Sequence, residues 1–117
     1  MENYAIVRPE HLNHHGYLFG GALLKWIDEY AWISASLEFP GCTLVTIAMN
    51  DIVFKHRVLN GTILHFHIER IHQGNTSVKY QIEALADAPG ATEEKAVFTT
   101  CITFVRLDDD GVKCNLP

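Results

Sequence analysis

One long segment in the first third of the chain is almost entirely apolar. After Gly20 and Gly21 it continues for about seventeen residues without a helix breaker and ends before Pro40, which predicts a helix over about 22–38. Its only polar strip is narrow and consists of Lys25, Asp28, Glu29 and Ser36. A helix this apolar has to be covered by other parts of the fold.

Four segments after the helix and one short segment before it alternate as β-strands do. They are rich in Val, Ile, Thr and Phe and lie at about 4–7, 43–58, 62–72, 76–87 and 94–107. Their connections contain turn-forming residues and leave no room for crossover helices, so we expect sequential and largely antiparallel strands. The pattern predicts an α+β domain, in which a curved antiparallel sheet of about five strands covers one long apolar helix.

Length and composition limit the chain to one globular domain over residues 1–117. Of these residues, 48% are apolar and 20% charged, enough for a single packed core. The formal net charge of −5 argues against a nucleic acid or membrane partner, because both bind through an excess of Lys and Arg. No apolar run approaches the roughly 18 residues of a bilayer span. The opening residues also lack the features of a signal peptide, so we expect a cytoplasmic protein.

The cysteines and histidines favour neither disulfides nor a metal site. Cys42, Cys101 and Cys114 have no C-x-x-C spacing, so reduced thiols are expected. His65 and His67 share one strand face, but no further ligand lies at a supporting spacing. We therefore expect no metal and no cofactor.

Two features of the apolar helix could carry chemistry. Gly20 and Gly21 would let a carbonyl oxygen approach the free N–H groups of the first turn, although such a pair is more often a tight turn or a packing contact. Asp28 lies at the margin of the polar strip, where a buried carboxylate is costly unless it is paired or used. Lys25 is the structural alternative, because it can form an ion pair with Asp28 or with Glu29.

The segment that contains these residues resembles a known signature. From Asn13 to Asp28 it reads N-x-x-G-x-x-F-G-G-x-L-L-x-W-I-D. This is similar to the hotdog-fold acyl-CoA thioesterases, in particular the short single-domain bacterial acyl-CoA thioester hydrolases related to the brain acyl-CoA hydrolases. Further matches are Val45–Ala48, Phe54, Gly61, the Gly74-x-x-Ser77 turn and Phe104–Val105. The resemblance covers nearly the whole chain and implies a single hotdog domain.

The resemblance also implies a reaction, the hydrolysis of acyl-CoA thioesters. In this interpretation Asp28 activates water or attacks the carbonyl carbon. Gly20 and Gly21 donate N–H groups to the developing oxyanion, and Asn13 orients substrate or water. A thioester suits such a site, because its thiolate leaves easily and needs no metal.

The resemblance assigns the substrate to aromatic and basic residues. The phosphates of CoA need a cationic patch in this acidic chain, and Lys55 and Arg57 belong to its only tight basic cluster. Phe19 and Phe54 are the expected aromatic contacts. The resemblance also places a turn near the nucleotide. In this chain that turn consists of Asn75, Thr76 and Ser77. Alternatively, the basic residues and the turn belong to an ordinary solvated surface and contact no substrate.

The spacing of Gly21 and Asp28 along the helix predicts that the chain forms a homodimer. Asp28 follows Gly21 by seven residues, which is about 10 Å along a helix axis. A single carbonyl carbon cannot lie about 3 Å from both groups. We therefore predict a homodimer with two composite sites. The resemblance implies that two such chains join their sheets and that dimers can assemble further.

Other interpretations remain open at this point. Arg57 and Gly61–Thr62 stand where relatives usually have Pro and Gly-Asp, so the local substrate wall should differ. Asp51 is a further strand carboxylate with a weaker claim to catalysis. The chain could also be a non-catalytic acyl-CoA binding module. An acyl-thioester hydratase or dehydratase is a third possibility, for which His14 or His15 is near in sequence.

Overall fold

The computed structural model describes residues 1–117, which form one α-helix, five strands and a short 3-10 turn at Pro9–His11. In chain order the main elements are β1 (Glu2–Ile6), α1 (Gly20–Glu38), β2 (Thr43–Phe54), β3 (Ile63–Gln73), β4 (Ser77–Asp87) and β5 (Lys95–Leu107). All neighbouring strands are antiparallel. The predicted α+β class is confirmed.

The strand order differs from the sequential order predicted from the turns. It is β1-β3-β4-β5-β2, so β2 pairs with β5 at the far edge of the sheet and not with β3. β3 already has β1 and β4 as its two neighbours, which leaves β5 to accept β2. Residues 55–62 therefore cross the end of the sheet, and the outer edge of β2 has no partner strand.

The helix begins two residues earlier than predicted. α1 includes Gly20 and Gly21 in its first turn, where backbone N–H groups have no partner inside a helix. Its buried residues recur at helical spacing along one face and are Leu23, Ile27, Ala31, Ser34 and Ala35. They pack on a core that includes Phe66, Phe98 and Phe104, each fully buried.

The sheet covers α1 as predicted, but part of the helix stays exposed in the single chain. Trp32 and Leu37 are 46% and 68% exposed, because the five strands reach only one face of α1. β2 adds exposed apolar side chains, namely Ile47, Ile52, Val53 and Phe54. Exposed apolar residues on adjacent elements, beside an unpaired strand edge, are typical of a protein interface.

Charged groups fasten β1 to β3. The carboxylate of Glu2 contacts His65 through one oxygen and lies 2.6 Å from Nδ1 of His67 through the other. Nδ1 of His65 lies 3.0 Å from the carboxylate of Glu94. The hydrogen bond to His67 lowers the pKa of Glu2, with a further contribution from His65. Burial alone would lower the pKa of His65, but the hydrogen bonds to Glu2 and Glu94 outweigh it and raise the pKa.

We expect Glu2→Gln to destabilise the protein mainly at mildly acidic pH. The contribution of Glu2 to the free energy of unfolding is present above its ordinary pKa of 4.5. It is lost as the pH falls through the lowered pKa of the folded state. The contribution of His65 to the free energy of unfolding is complete below its ordinary pKa of 6.5. It is lost as the pH rises through the raised pKa of the folded state. Urea unfolding should show a loss of about 0.5 kcal/mol between these values and less at alkaline pH.

Glu93→Gln is the matched control, because Glu93 is exposed and forms no ion pair. It should leave the pH profile unchanged. An equal loss at mildly acidic and alkaline pH for Glu2→Gln would contradict the account.

Candidate active site

The start of α1 presents two free hydrogen-bond donors. The first helical hydrogen bonds are donated by Ala22 and Leu23 to the carbonyl of Phe19, at 3.0 and 3.2 Å. The N–H groups of Gly20 and Gly21 donate to no acceptor in the chain. They also lie at the positive end of the helix dipole. Together they can stabilise negative charge on an approaching oxygen.

Gly20 and Gly21 do not have a positive φ, so the backbone conformation does not require glycine at either position. A Cβ on Gly20 would lie 3.4 Å from Cζ of Phe54, an ordinary contact. A Cβ on Gly21 would lie 2.7 Å from Cε2 of Phe19, so that exposed ring would have to move. The two phenylalanines thus flank the free donors. The glycines keep this approach open.

A groove begins beside these donors. It contains a cavity of about 260 Å³ whose lining is partly apolar and partly basic: Leu18, Gly20, Leu23, Phe54, Lys55, His56, Arg57 and Val58. The guanidinium of Arg57 lies 4.8 Å from the ring centre of Tyr17, a cation–π contact that orients it. The arrangement can hold an apolar group near the helix start and an anionic group at the rim.

Asn13 holds the turn that precedes the helix. Its Oδ1 accepts hydrogen bonds from the backbone N–H groups of His15 and Tyr17, at 2.9 and 3.2 Å. The N–H of Leu18 then donates to the carbonyl of Val58 at 2.9 Å, which ties this segment to the groove. The side-chain oxygen of Asn13 is therefore committed to the turn, and its amide group is left as the available donor.

Asp28 lies in the middle of α1, half-buried, and contacts β2. The hydroxyl of Thr46 donates to its Oδ1 at 2.7 Å. Lys25 forms no ion pair with Asp28 or Glu29, so the structural alternative is not realised. Sequence reasoning missed Thr46 as a partner, because threonine is common in strands and carries no distinguishing signal.

The structure brings together some predicted site residues and separates others. Gly20, Gly21, Phe19, Phe54 and the basic residues after β2 share one end of the sheet. Asp28 is about 10 Å from Gly21 along the helix axis. Within a single chain the carboxylate and the free donors cannot meet at one carbonyl group.

The turn that contains Asn75, Thr76 and Ser77 lies at the opposite end of the sheet. β4 begins at Ser77 and runs eleven residues to Asp87, roughly 35 Å of strand, before the chain reaches the end near Lys55. The carbonyls of Asn75 and Thr76 accept hydrogen bonds from Leu116 and Arg106. Any contact of this turn with the ligand in the groove would have to come from another subunit.

Three further observations concern metal ligands, Asp51 and the helices of the chain. No group of three or more His, Cys, Asp and Glu side chains is arranged to hold a metal ion. Asp51 is exposed with a φ of 55°, at an irregularity in the pairing of β2 with β5, where it bends the strand. No helix has both the length and the apolar character needed to cross a membrane.

Comparison with known proteins assigns the family. The model of the thioesterase superfamily matches residues 15–92, so the chain belongs to that superfamily, as the signature predicted. Mouse acyl-coenzyme A thioesterase 11 is 34% identical over 100 residues, 86% of this chain but only 17% of the mouse protein. An uncharacterized acyl-CoA thioester hydrolase of Zymomonas mobilis is 29% identical over 96% of this chain and 74% of its own length.

Solved structures agree with the fold. An acyl-CoA hydrolase from Staphylococcus aureus, in complex with butyryl coenzyme A, coenzyme A and coenzyme A disulfide, has a TM-score of 0.89 at 28% identity, covering 100% of this chain and 71% of that chain. A hexameric hotdog-fold thioesterase of Campylobacter jejuni has a TM-score of 0.87 at 31% identity over 98% of this chain and 88% of that chain. The predicted hotdog fold is confirmed.

We expect Gly20→Ala to stabilise the fold. Gly20 has no positive φ and an added Cβ makes only an ordinary contact, so the main effect is a smaller conformational entropy of the unfolded chain. The free energy of unfolding in urea should rise by about 0.5 kcal/mol. Gly41→Ala is the control, because Gly41 has a φ of 81° and alanine there is strained. Equal destabilisation by both changes would contradict this account.

Proposed function

We propose that the chain hydrolyses acyl-CoA thioesters to a free fatty acid and CoA, at composite sites shared by two subunits. The observation that carries this proposal is the pair of free N–H donors of Gly20 and Gly21, which open onto a groove with basic residues at its rim. The superfamily and the relatives described above support the same substrate class.

The chemistry requires an oxyanion site and a means of activating water. The thioester carbonyl oxygen accepts hydrogen bonds from the two glycine N–H groups, which stabilise the charge that develops on it. In the first route, water attacks the carbonyl carbon while a carboxylate takes its proton, and the carbon–sulfur bond then breaks. In the second route, the carboxylate attacks the carbonyl carbon, the carbon–sulfur bond breaks to leave a mixed anhydride, and water then hydrolyses the anhydride to release the acyl group as a carboxylic acid. In both routes CoA leaves as a thiolate and takes up a proton.

Asp28 of the partner subunit supplies the carboxylate. The hydrogen bond from Thr46 occupies Oδ1 and fixes the orientation of the group, which leaves Oδ2 to accept a proton. The S. aureus hydrolase has been solved with an asparagine, an aspartate or a threonine replaced by alanine. Its asparagine and aspartate are fifteen positions apart, the same spacing as Asn13 and Asp28.

The surfaces of the single chain support the dimer. The outer edge of β2 is unpaired, and Trp32 with the apolar residues of β2 is exposed beside it. Pairing these surfaces by a two-fold axis would cover them and bring each Asp28 toward the other helix start. Hexameric structures among the neighbours support assembly beyond the dimer.

Asp28→Asn should strongly reduce turnover and preserve binding. The substitution removes the charge but keeps the shape and the acceptor for Thr46, so CoA release should fall about 10²-fold or more, while the melting temperature is maintained. Release of free thiol from a panel of acyl-CoA esters measures the effect. If the protein only sequestered acyl-CoA, wild type and variant would bind equally and neither would release CoA. That result would refute the proposed enzyme.

Mixing two inactive variants tests the composite site. Asp28→Asn lacks the carboxylate, and Gly21→Val blocks the approach to the donors. A mixed dimer retains one intact site, made from the glycine start of the first variant and Asp28 of the second. Refolding the two variants together should therefore restore about a quarter of the wild-type activity. No recovery, despite mixed dimers detected by mass spectrometry, would mean that donors and carboxylate act within one chain.

A further inference from the structure

Trp32 forms a second polar contact between α1 and β2. Its indole Nε1–H donates a hydrogen bond to the backbone carbonyl of Leu44 at 3.1 Å. The first polar contact is the bond from the Thr46 hydroxyl to Asp28 at 2.7 Å. Trp32 is 46% exposed, so burial alone does not fix its ring. No step of the reaction described above involves this residue.

The two contacts are in register along the helix and the strand. Trp32 follows Asp28 by four residues, so it lies on the same side of α1, about 6 Å further along the axis. Leu44 precedes Thr46 by two residues, about 6.6 Å along β2, where the pairing with β5 is regular. The later helix residue contacts the earlier strand residue, so the two elements run in opposite directions. Two hydrogen bonds about one helical turn apart therefore join α1 to β2.

A second attachment point restricts the helix in a way that one point cannot. With the Thr46 bond alone, α1 could rotate slightly about that contact and carry the carboxylate with it. The other contacts of the helix are mainly apolar, as at Leu23 and Ile27, and apolar packing is not directional. The bond from Trp32 opposes this rotation. It thereby fixes the direction in which the Asp28 carboxylate points.

We propose that Trp32 is a positioning residue for the carboxylate of the proposed reaction. By holding α1 on β2 one turn beyond Asp28, it keeps the carboxylate within reach of a thioester at the helix start of the partner subunit. The inference rests on the proposed function, because it concerns the carboxylate assigned there. It gives the indole N–H a role separate from that of the exposed ring, which lies on the surface proposed to meet the partner.

Nuclear magnetic resonance tests the bond without reference to catalysis. The chain has two tryptophans, so the spectrum contains two indole N–H signals, which Trp26→Phe and Trp32→Phe assign. Trp26 contacts His11 and Phe66 through its ring and donates no hydrogen bond within the chain. The N–H of Trp32 should be protected from solvent exchange, and Thr46→Val should speed its exchange but not that of Trp26. Exchange of the Trp32 N–H as fast as in free indole would overturn the proposal.

Kinetics separate positioning from folding and assembly. Trp32→Phe keeps an aromatic ring and removes the N–H. It should lower kcat for acyl-CoA about 5- to 10-fold, as a small displacement of a catalytic group does, and leave KM unchanged. Trp26→Phe is the matched control and should keep the kcat of the wild type. In a Thr46→Val background, Trp32→Phe should cause little further loss, because both bonds hold the same carboxylate. A loss of activity seen only where Trp32→Phe sediments as single chains would assign the residue to the subunit contact and overturn the proposal.

Mixed dimers show which of the two sites Trp32 serves. When Asp28→Asn and Gly21→Val chains are refolded together, the intact site takes its carboxylate from the Gly21→Val chain. Trp32→Phe added to that chain should lower the recovered activity about 5- to 10-fold, whereas the same change on the Asp28→Asn chain should have no effect. Equal losses from both placements, or no loss from either, would overturn the proposal. Recovery in the mixture without Trp32→Phe reports on the proposed function independently.

Discussion

The rigidity of α1 is the constraint on which the rest of the structure depends. Gly20, Gly21 and Asp28 belong to one regular helix, so the free donors at its start and the carboxylate in its middle stay about 10 Å apart. Burial of Leu23 and Ile27 under the sheet fixes the helix in place. No side-chain rotation can bring both groups to one carbonyl, and in the proposed reaction a second copy of the helix therefore supplies the carboxylate.

The same packing explains why the single chain leaves apolar surface exposed. Five strands can cover one face of a helix, and the order of the strands leaves β2 at the edge with its outer backbone groups free. Trp32 and several apolar side chains of β2 are therefore exposed. The proposed sharing of the site and the uncovered surface thus have one origin, which is the placement of α1 against β2.

Much of the fold could be predicted from the sequence, because α1 and the strands have different hydrophobic periods. The position of β2 could not, since every strand alternates alike and the choice of edge depends on contacts far apart in sequence. Local patterns singled out Asp28 and the glycine pair as candidate site residues. They gave no indication that Asp28 contacts Thr46, because threonine is ordinary in strands. That contact arises only when two segments far apart in sequence pack together.

The distribution of charge around the groove fits the proposed substrate. The chain is acidic overall, yet three of its cations lie around one end of the sheet beside the free donors. An acyl chain needs apolar walls, a developing oxyanion needs N–H donors and phosphates need cations. This end of the molecule offers apolar walls, free N–H donors and cations. In the proposed reaction the carboxylate comes from the partner subunit.

The most direct test of the shared site is specific activity measured against protein concentration, with sedimentation recorded on the same samples. Activity per chain should fall in proportion to the fraction of assembled protein as dilution separates the subunits, and it should return on concentration. Full activity per chain in samples that sediment as single chains would contradict the account, because one helix would then supply both halves of the chemistry.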